Sequence, residues 1–301
     1  MTPRVTAIVL NWNNAPDTLA CLASLAQQGY PHRVLVVDNG STDDSVARIG
    51  AAYPEVELLE TGANLGYAGG NNAGIRHALE QGADYLFILN NDVTLDPACL
   101  RELVRAAAAD PRAGILGPLV LDAETPDRVQ SAGMRVDFYR GVQHLGAGQH
   151  DAGVDKDVVP VEAIKGCAML VASDCIEAAG MLDARFFMYL EEVDWCLRAR
   201  KAAYHVLFAP SARVWHRETE AEDQRYIRAA YYMTRNMYLL ALSCSTWTSR
   251  ARLLLRDAIW VANWTLNPKW RARRPVRDAV VLGVADAFRG NWGRNARWHG
   301  E

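Results

Sequence analysis

The chain has 301 residues, half of them apolar and 22% charged, with a formal net charge of −3; these values fit a soluble globular protein of one large domain, or one domain plus an addition. The charge is unevenly spread: residues 246–301 hold 11 Lys/Arg against 4 Asp/Glu and six of the nine tryptophans, and residues 1–245 hold 21 against 31. That split excludes a freely disordered tail, which would be poor in Trp.

Residues 5–10, 33–38, 56–60 and 85–89 are short Val/Ile/Leu-rich runs and read as strands. Residues 17–28, 43–51, 68–81 and 97–109 between them have helical spacing. Start signals precede three of these: Pro16, then Ser41 and Thr42, then Asp96-Pro97. Apolar strands separated by helices predict a parallel sheet covered on both faces. Ligands of such sheets bind at the carboxyl ends of the strands. The loops there read Asn11-Trp12-Asn13-Asn14, Asp38-Asn39-Gly40-Ser41-Thr42-Asp43, Asn64 through Asn72, and Asn90-Asn91-Asp92. Asn, Asp and Gly are turn residues anyway, but four polar loops on one sheet edge mark that edge for chemistry.

From 112 to 165 the pattern degrades into Gly, Pro and charge with short strands, and 143–156 reads as a mobile loop. Strand character returns at 158–172. Residues 192–201 are helical, 204–209 and 212–215 are short strands, and the chain after 223 is helical almost to its end. The first apolar run is too short for a signal peptide, and no run reaches the ~18 residues of a membrane span. A cytoplasmic place, or a membrane surface facing the cytoplasm, is therefore expected. Six widely spaced cysteines argue against a zinc ribbon or a disulfide framework.

Seven segments in order resemble the family 2 glycosyltransferases, and within them the bacterial rhamnosyltransferase-like branch. They are Ala7 to Trp12, Val36 to Asp43, Asn64 to Asn71, Leu89 to Asp92, Lys165 to Met169, Phe186 to Arg198, and Trp215-His216. The resemblance covers roughly residues 4–240 and implies the α/β GT-A fold, with a catalytic domain over 1–240. Residues 241–301 are then a helical, basic, Trp-rich extension.

The implied chemistry attaches to particular residues. Asp38 is a strand-end acid able to accept from a nucleobase or ribose, with Asn11 lining the base pocket. Asn64, Gly66, Gly69 and Asn71 lie in a Gly/Asn-rich stretch before a helix; such a stretch lets a backbone approach a ligand and offers a helix N-terminus to anions. The resemblance puts them near the donor sugar and diphosphate. Asn90-Asn91-Asp92 occupies the family's Asp-x-Asp position, with the neutral Asn90 in place of its first acid. Asp92, and His216 by resemblance, would hold Mg²⁺ or Mn²⁺. The residues after His216, 217–220, are unusually charged.

Glu191-Glu192-Val193-Asp194 opens a helix. Three acids in a first turn also favour the helix dipole. Behind an aromatic approach, Phe186 to Tyr189, a carboxylate becomes a better base. Glu192 is assigned as base and Glu191 is its main competitor; Asp194 is expected to pair with Arg198 at i+4. Lys165, Gly166, Cys167 and Trp195 are expected on the acceptor side, and Arg235 could meet a phosphate.

In the C-terminal part Leu253, Trp260, Val261 and Trp264 form one stripe, and Val280, Val284 and Phe288 another. Two readings stand: helices packed on the core, or a membrane-surface element, since Trp with Arg/Lys suits an anionic headgroup layer. No groove-reading motif supports nucleic-acid binding. A homodimer is left open.

The expectation is a metal-dependent inverting transferase. It would move a sugar from a nucleoside diphosphate, dTDP-L-rhamnose before UDP-sugars, to a hydroxyl of a lipid-linked or cell-surface saccharide. Its rivals are a sugar nucleotidyltransferase and a non-catalytic sugar-nucleotide binder. The first would want a Gly-rich basic loop where Asn11-Trp12-Asn13-Asn14 stands.

Overall fold

The computed structural model describes residues 2–217 and 223–298, so the charged stretch beyond Arg217 lies outside the described residues. The chain begins β1 (Val5–Asn11), α1 (Ala15–Leu25), β2 (His32–Asp38), α2 (Ser45–Ala52), β3 (Glu57–Glu60), α3 (Gly66–Glu80), β4 (Tyr85–Asn90), the alternation read from the sequence. There follow β5 (Val93–Leu95), α4 (Cys99–Ala109), β6 (Ala113–Asp122), β7 (Val129–Ser131), β8 (Met134–Asp137), β9 (Gly141–His144) and β10 (Val159–Pro160). β11 (Ala168–Ala172), α5 (Ser173–Ala179), α6 (Glu191–Lys201) and β12 (His205–His216) complete the sheet region. Three long helices come last: α7 (Asp223–Cys244), α8 (Trp247–Leu266) and α9 (Arg274–Arg289).

The main sheet runs β10-β12-β6-β11-β4-β1-β2-β3, with β5 on β12 and β7 on β6. β1 pairs parallel with β2 and β4, β2 with β3, and β6 with β12; β11 runs antiparallel between β4 and β6. Side chains alternate across each strand, so two cores form. Ile8, Leu35, Val37, Leu86 and Ile88 meet α3, α5, α6 and α7 on one face. Ala7, Val9, Val36, Phe87 and Leu89 meet α1, α2 and α4 on the other.

The register aligns the strand ends. Asn11 lies opposite Asp38, Asp38 opposite Glu60, and Leu10 opposite Asn90. At the far side His216 lies opposite Val93 and Asp122, which puts it beside the 90–92 loop.

Several expectations need correction. Residues 113–122 form a ten-residue central strand. Gly114, Gly117 and Pro118 resemble breakers, yet the bare face of Gly117 is filled by Ile164, and Pro118 lies opposite Ala209 beside a bulge in β12. The expected pair of strands at 204–209 and 212–215 is that one bulged strand, with Pro210 at the irregularity. The 143–156 segment is tied down: Leu145 and Gln149 hydrogen-bond to residues 129–133, and Asp151 pairs with Arg213 at 2.6 Å.

Candidate active site

The four polar loops converge on one sheet edge, but many of their side chains hold the edge together. Asn11 is fully buried. Its Nδ2 donates to Asp38 Oδ1 (2.8 Å) and to Ser41 Oγ, and its Oδ1 accepts from Thr18. It thus orients Asp38 and does not line a pocket. Asp38 is buried too, accepting from the Ser41 hydroxyl (2.5 Å) and amide (2.9 Å). Ser41 therefore serves Asp38; α2 begins only at Ser45. Trp12 is exposed beside this group.

The Gly-rich segment is built for packing. Gly66 has φ +74, and a Cβ there would strike the Phe187 ring and carbonyl at 2.4 Å. The missing Cβ atoms of Gly69, Gly70 and Gly74 face Leu65, Leu10 and Ile8. The amides at the start of α3 are also engaged: Leu65 N donates to Asn39 Oδ1, Gly66 N to Asn64 Oδ1 and Ala68 N to Phe187 O. Three of the amides expected to face an anion at this helix end are thus already taken. Asn71 is buried, donating to Tyr67 O, and its Oδ1 has no hydrogen bond. Asn91 donates to Thr18 Oγ1 and Asn14 O, so it fastens the loop to α1.

Asn90 and Asp92 differ from these. Asn90 Oδ1 and Asp92 Oδ1 are both enclosed and receive no hydrogen bond. Such orphaned acceptors cost free energy and call for a donor or a cation. Among the described residues, the salt-bridge partner of Asp92 is His216, whose Nε2 lies 3.4 Å from Oδ1. His216 Nδ1 lies 2.9 Å from Gln130 Oε1. An amide oxygen only accepts, so Nδ1 carries a proton, and in the neutral ring Nε2 then presents a lone pair toward Asp92. One carboxylate oxygen and one imidazole nitrogen suit a divalent ion that takes its other ligands from a diphosphate or water. Among the described residues no group of three or more His, Cys, Asp or Glu gathers into a complete cage.

Gln130 carried no sequence signal, being an isolated Gln in the irregular 112–165 region. It accepts from Lys165 Nζ at 2.7 Å as well as from His216, and its own amide donates to His216 O. Gln130 thereby links the histidine to the segment under the acids. There Gly166 lies against Glu192, with Glu192 Cγ 3.2 Å from where a Cβ would stand. Gly166 O accepts from Tyr67 OH at 2.5 Å. Tyr67, also missed, is held well above the usual phenol range by burial first, and then by the charges of Glu191, Glu192 and Asp92.

Glu191 and Glu192 open α6 after a strained approach: Phe187, Tyr189 and Leu190 all have positive φ. Such backbone costs free energy and is concentrated at functional sites. Glu191 is buried, its Oε2 is unpartnered, and desolvation followed by repulsion from Glu192 raises its pKa well above the carboxylate range. Glu192 stays partly open, and burial raises it to about 7, opposed by backbone hydrogen bonds and the charge of Lys165. Asp194 pairs with Arg198 at 2.7 Å, as expected.

Three assignments are corrected. Trp195 is fully buried, its indole N–H donating to Gly180 O, so it belongs to the core and not to the acceptor side. The Cys167 sulfur is buried; its contribution to the edge is a carbonyl accepting from Asn90 N. Arg235 is buried, donating to the carbonyls of Arg185, Phe186 and Gly293 and stacking on Tyr232, so it staples α7 to the turn before α6 and meets no phosphate. A separate cavity of about 550 Å³, lined by His32, Arg33, Glu57 and Gln81 among others, lies at the opposite sheet edge, away from these groups.

The glycosyl transferase family 2 pattern matches residues 6–155. An N-acetylglucosaminyl-diphospho-decaprenol L-rhamnosyltransferase of Mycobacterium tuberculosis is 30% identical over 283 residues, covering 86% of this chain and 91% of that protein. The chain belongs to glycosyltransferase family 2. This transferase is also 25% identical to the dTDP-rhamnosyl transferase RfbF of Shigella flexneri, over 72% of the chain and 70% of that protein. Among solved structures it is similar to a mannosyltransferase from Pyrobaculum calidifontis in complex with GDP-Man and Mn²⁺. The TM-score is 0.58 at 16% identity, covering 96% of this chain and 88% of that one. That likeness bears on the fold, which is GT-A. The reaction class is glycosyl transfer, which sets aside the nucleotidyltransferase and the non-catalytic readings.

Proposed function

We propose that this transferase moves L-rhamnose from dTDP-L-rhamnose, or failing that a sugar from a UDP-sugar, to a hydroxyl of a lipid-linked saccharide, with inversion at the anomeric carbon. Two rhamnosyltransferase relatives support the donor, and the decaprenyl-diphosphate-linked acceptor in the name of the first supports a lipid-linked acceptor. The observation that carries the mechanism is the contrast between the neighbouring acids: Glu192 is reachable and balanced near 7, and Glu191 is enclosed.

In this reading Glu192 takes the proton of the acceptor hydroxyl as its oxygen attacks the anomeric carbon. Glu191, kept neutral by burial, adds no second charge beside it. A single base suffices because a nucleoside diphosphate leaves without protonation; glycosidases, whose leaving group is an alkoxide, use two carboxyls. Asp92 and His216 would hold Mg²⁺ or Mn²⁺, with Gln130 fixing the histidine tautomer. When bound, the ion neutralises charge on the departing diphosphate. Asp38 and its loop hold the base end of the donor, and Lys165 and Gly166 border the acceptor beside Glu192. Residues 1–240 carry this chemistry and 241–301 are accessory to it.

The test is a transfer assay with radiolabelled dTDP-L-rhamnose and UDP-sugars in Mn²⁺ or Mg²⁺. Glu192→Gln is expected to lower kcat about 10³-fold while donor affinity stays within about twofold. Undiminished turnover in that variant contradicts the assignment.

A further inference from the structure

We propose that the outward face of α8 is a membrane-docking surface that seats the protein flat on an anionic lipid leaflet. The stripe visible in the sequence faces inward at Leu253, which is fully buried, and at Val261 and Trp264, which are half-buried; its fourth member, Trp260, is 41% exposed under the Arg256 guanidinium. On this side Asp257 is buried, paired with Arg256 at 2.7 Å and accepting from Tyr238 OH. The opposite side is apolar as well. Trp247, Leu255, Ile259 and Leu266 are 77%, 57%, 49% and 80% exposed. With the exposed alanines Ala258 and Ala262 they recur at helical spacing, and no charged side chain falls among them on that face.

A helix apolar on two opposite sides calls for two apolar surroundings. The body of the protein supplies one. Nothing among the described residues supplies the other, and no described helix is long and apolar enough to cross a membrane. Twenty residues make α8 about 30 Å long, enough to lie along an interface with its outward side chains at the boundary between headgroups and acyl chains.

Charge selects the occupant. Between 246 and 276 the only acid is the buried Asp257. The exposed charges on and just after the helix are Arg250, Arg252, Lys269, Arg271 and Arg274, all positive. A second copy of the chain would set this group against itself; an anionic leaflet attracts it. Exposure and charge carry the proposal independently of donor and acceptor, so a binding measurement without substrate tests it alone.

The experiment is flotation of the full chain with vesicles of phosphatidylcholine and phosphatidylglycerol, or of phosphatidylcholine alone, at ~0.1 M salt. The wild type is expected to float with the anionic vesicles and about tenfold less with the neutral ones. The variant Leu255→Ser/Ile259→Ser/Leu266→Ser is expected to lose about tenfold in binding with an unchanged Tm. Brominated lipids should quench tryptophan emission of the wild type, a readout that needs no variant. The proposal is overturned if the wild type stays at the bottom of the gradient, if no quenching occurs, or if the variant floats like the wild type. It is equally overturned if the substitutions convert a dimer to a monomer without changing vesicle binding, since the face then belongs to a second copy.

Discussion

Glu191 and Glu192 are neighbours in sequence with the same side chain, and environment alone sets them apart. As the proposed base, the partly open Glu192, raised to about 7 by burial, must be ionised to accept a proton. The rate of transfer is therefore expected to fall as pH drops through about 7, and a profile flat from pH 5.5 to 8.5 counts against it. Glu191 has a folded pKa above its unfolded value, so between the two the native state holds the extra proton, and stability falls as pH rises through that window. Glutamine carries no charge at any pH. Glu191→Gln should thus raise Tm at pH 8 by about 2 °C or more and leave it unchanged below the ordinary carboxylate range. Parallel Tm-against-pH curves for the two proteins contradict this. The sequence exposes the acid cluster and the Asp194–Arg198 pair, because both follow from local helical spacing. It does not reveal which acid is enclosed, because burial is set by segments that only the fold brings together, as Gly166 is brought against Glu192.

At the scale of elements, β7 and the start of α3 do work that spacing hides. β7 carries Gln130 under His216, and a histidine ligand loses affinity when the partner that fixes its tautomer is removed, typically 10–100-fold. Gln130→Leu is therefore expected to raise the Mn²⁺ dissociation constant by about that factor, read by calorimetry in the presence of dTDP. An unchanged constant would show that the hydrogen bond to Nδ1 is idle. Nothing in the order of residues between 112 and 165 picks out Gln130, since β6, β7 and β12 are joined by long-range pairing. The glycines of 66–74 were legible as a motif and misread as to cause: their bare faces meet Phe187, Leu65, Leu10 and Ile8, so close packing requires them. Trp195 and Arg235 looked like ligand contacts for the same reason. Large polar-tipped side chains in a motif satisfy their donors just as well on buried backbone carbonyls.

Over the whole molecule, the parallel half of the sheet was the most legible part, because four buried strands and their helices declare themselves locally. Register then carries Asn11, Asp38, Glu60 and Asn90 to one edge without further information. The charge split separates two kinds of surface. The acidic body holds Asp92 and the α6 acids, while the basic end holds a helix whose second apolar face is masked in the sequence by the first, which already accounts for the apolar spacing. The central claim is a single displacement driven by Glu192 on a nucleotide sugar. The anomeric configuration of the transferred sugar, measured by NMR on the product of the wild type with dTDP-L-rhamnose and a lipid-linked saccharide, tests it most directly. A configuration opposite to that of the donor is predicted; retention of the donor's configuration would contradict it.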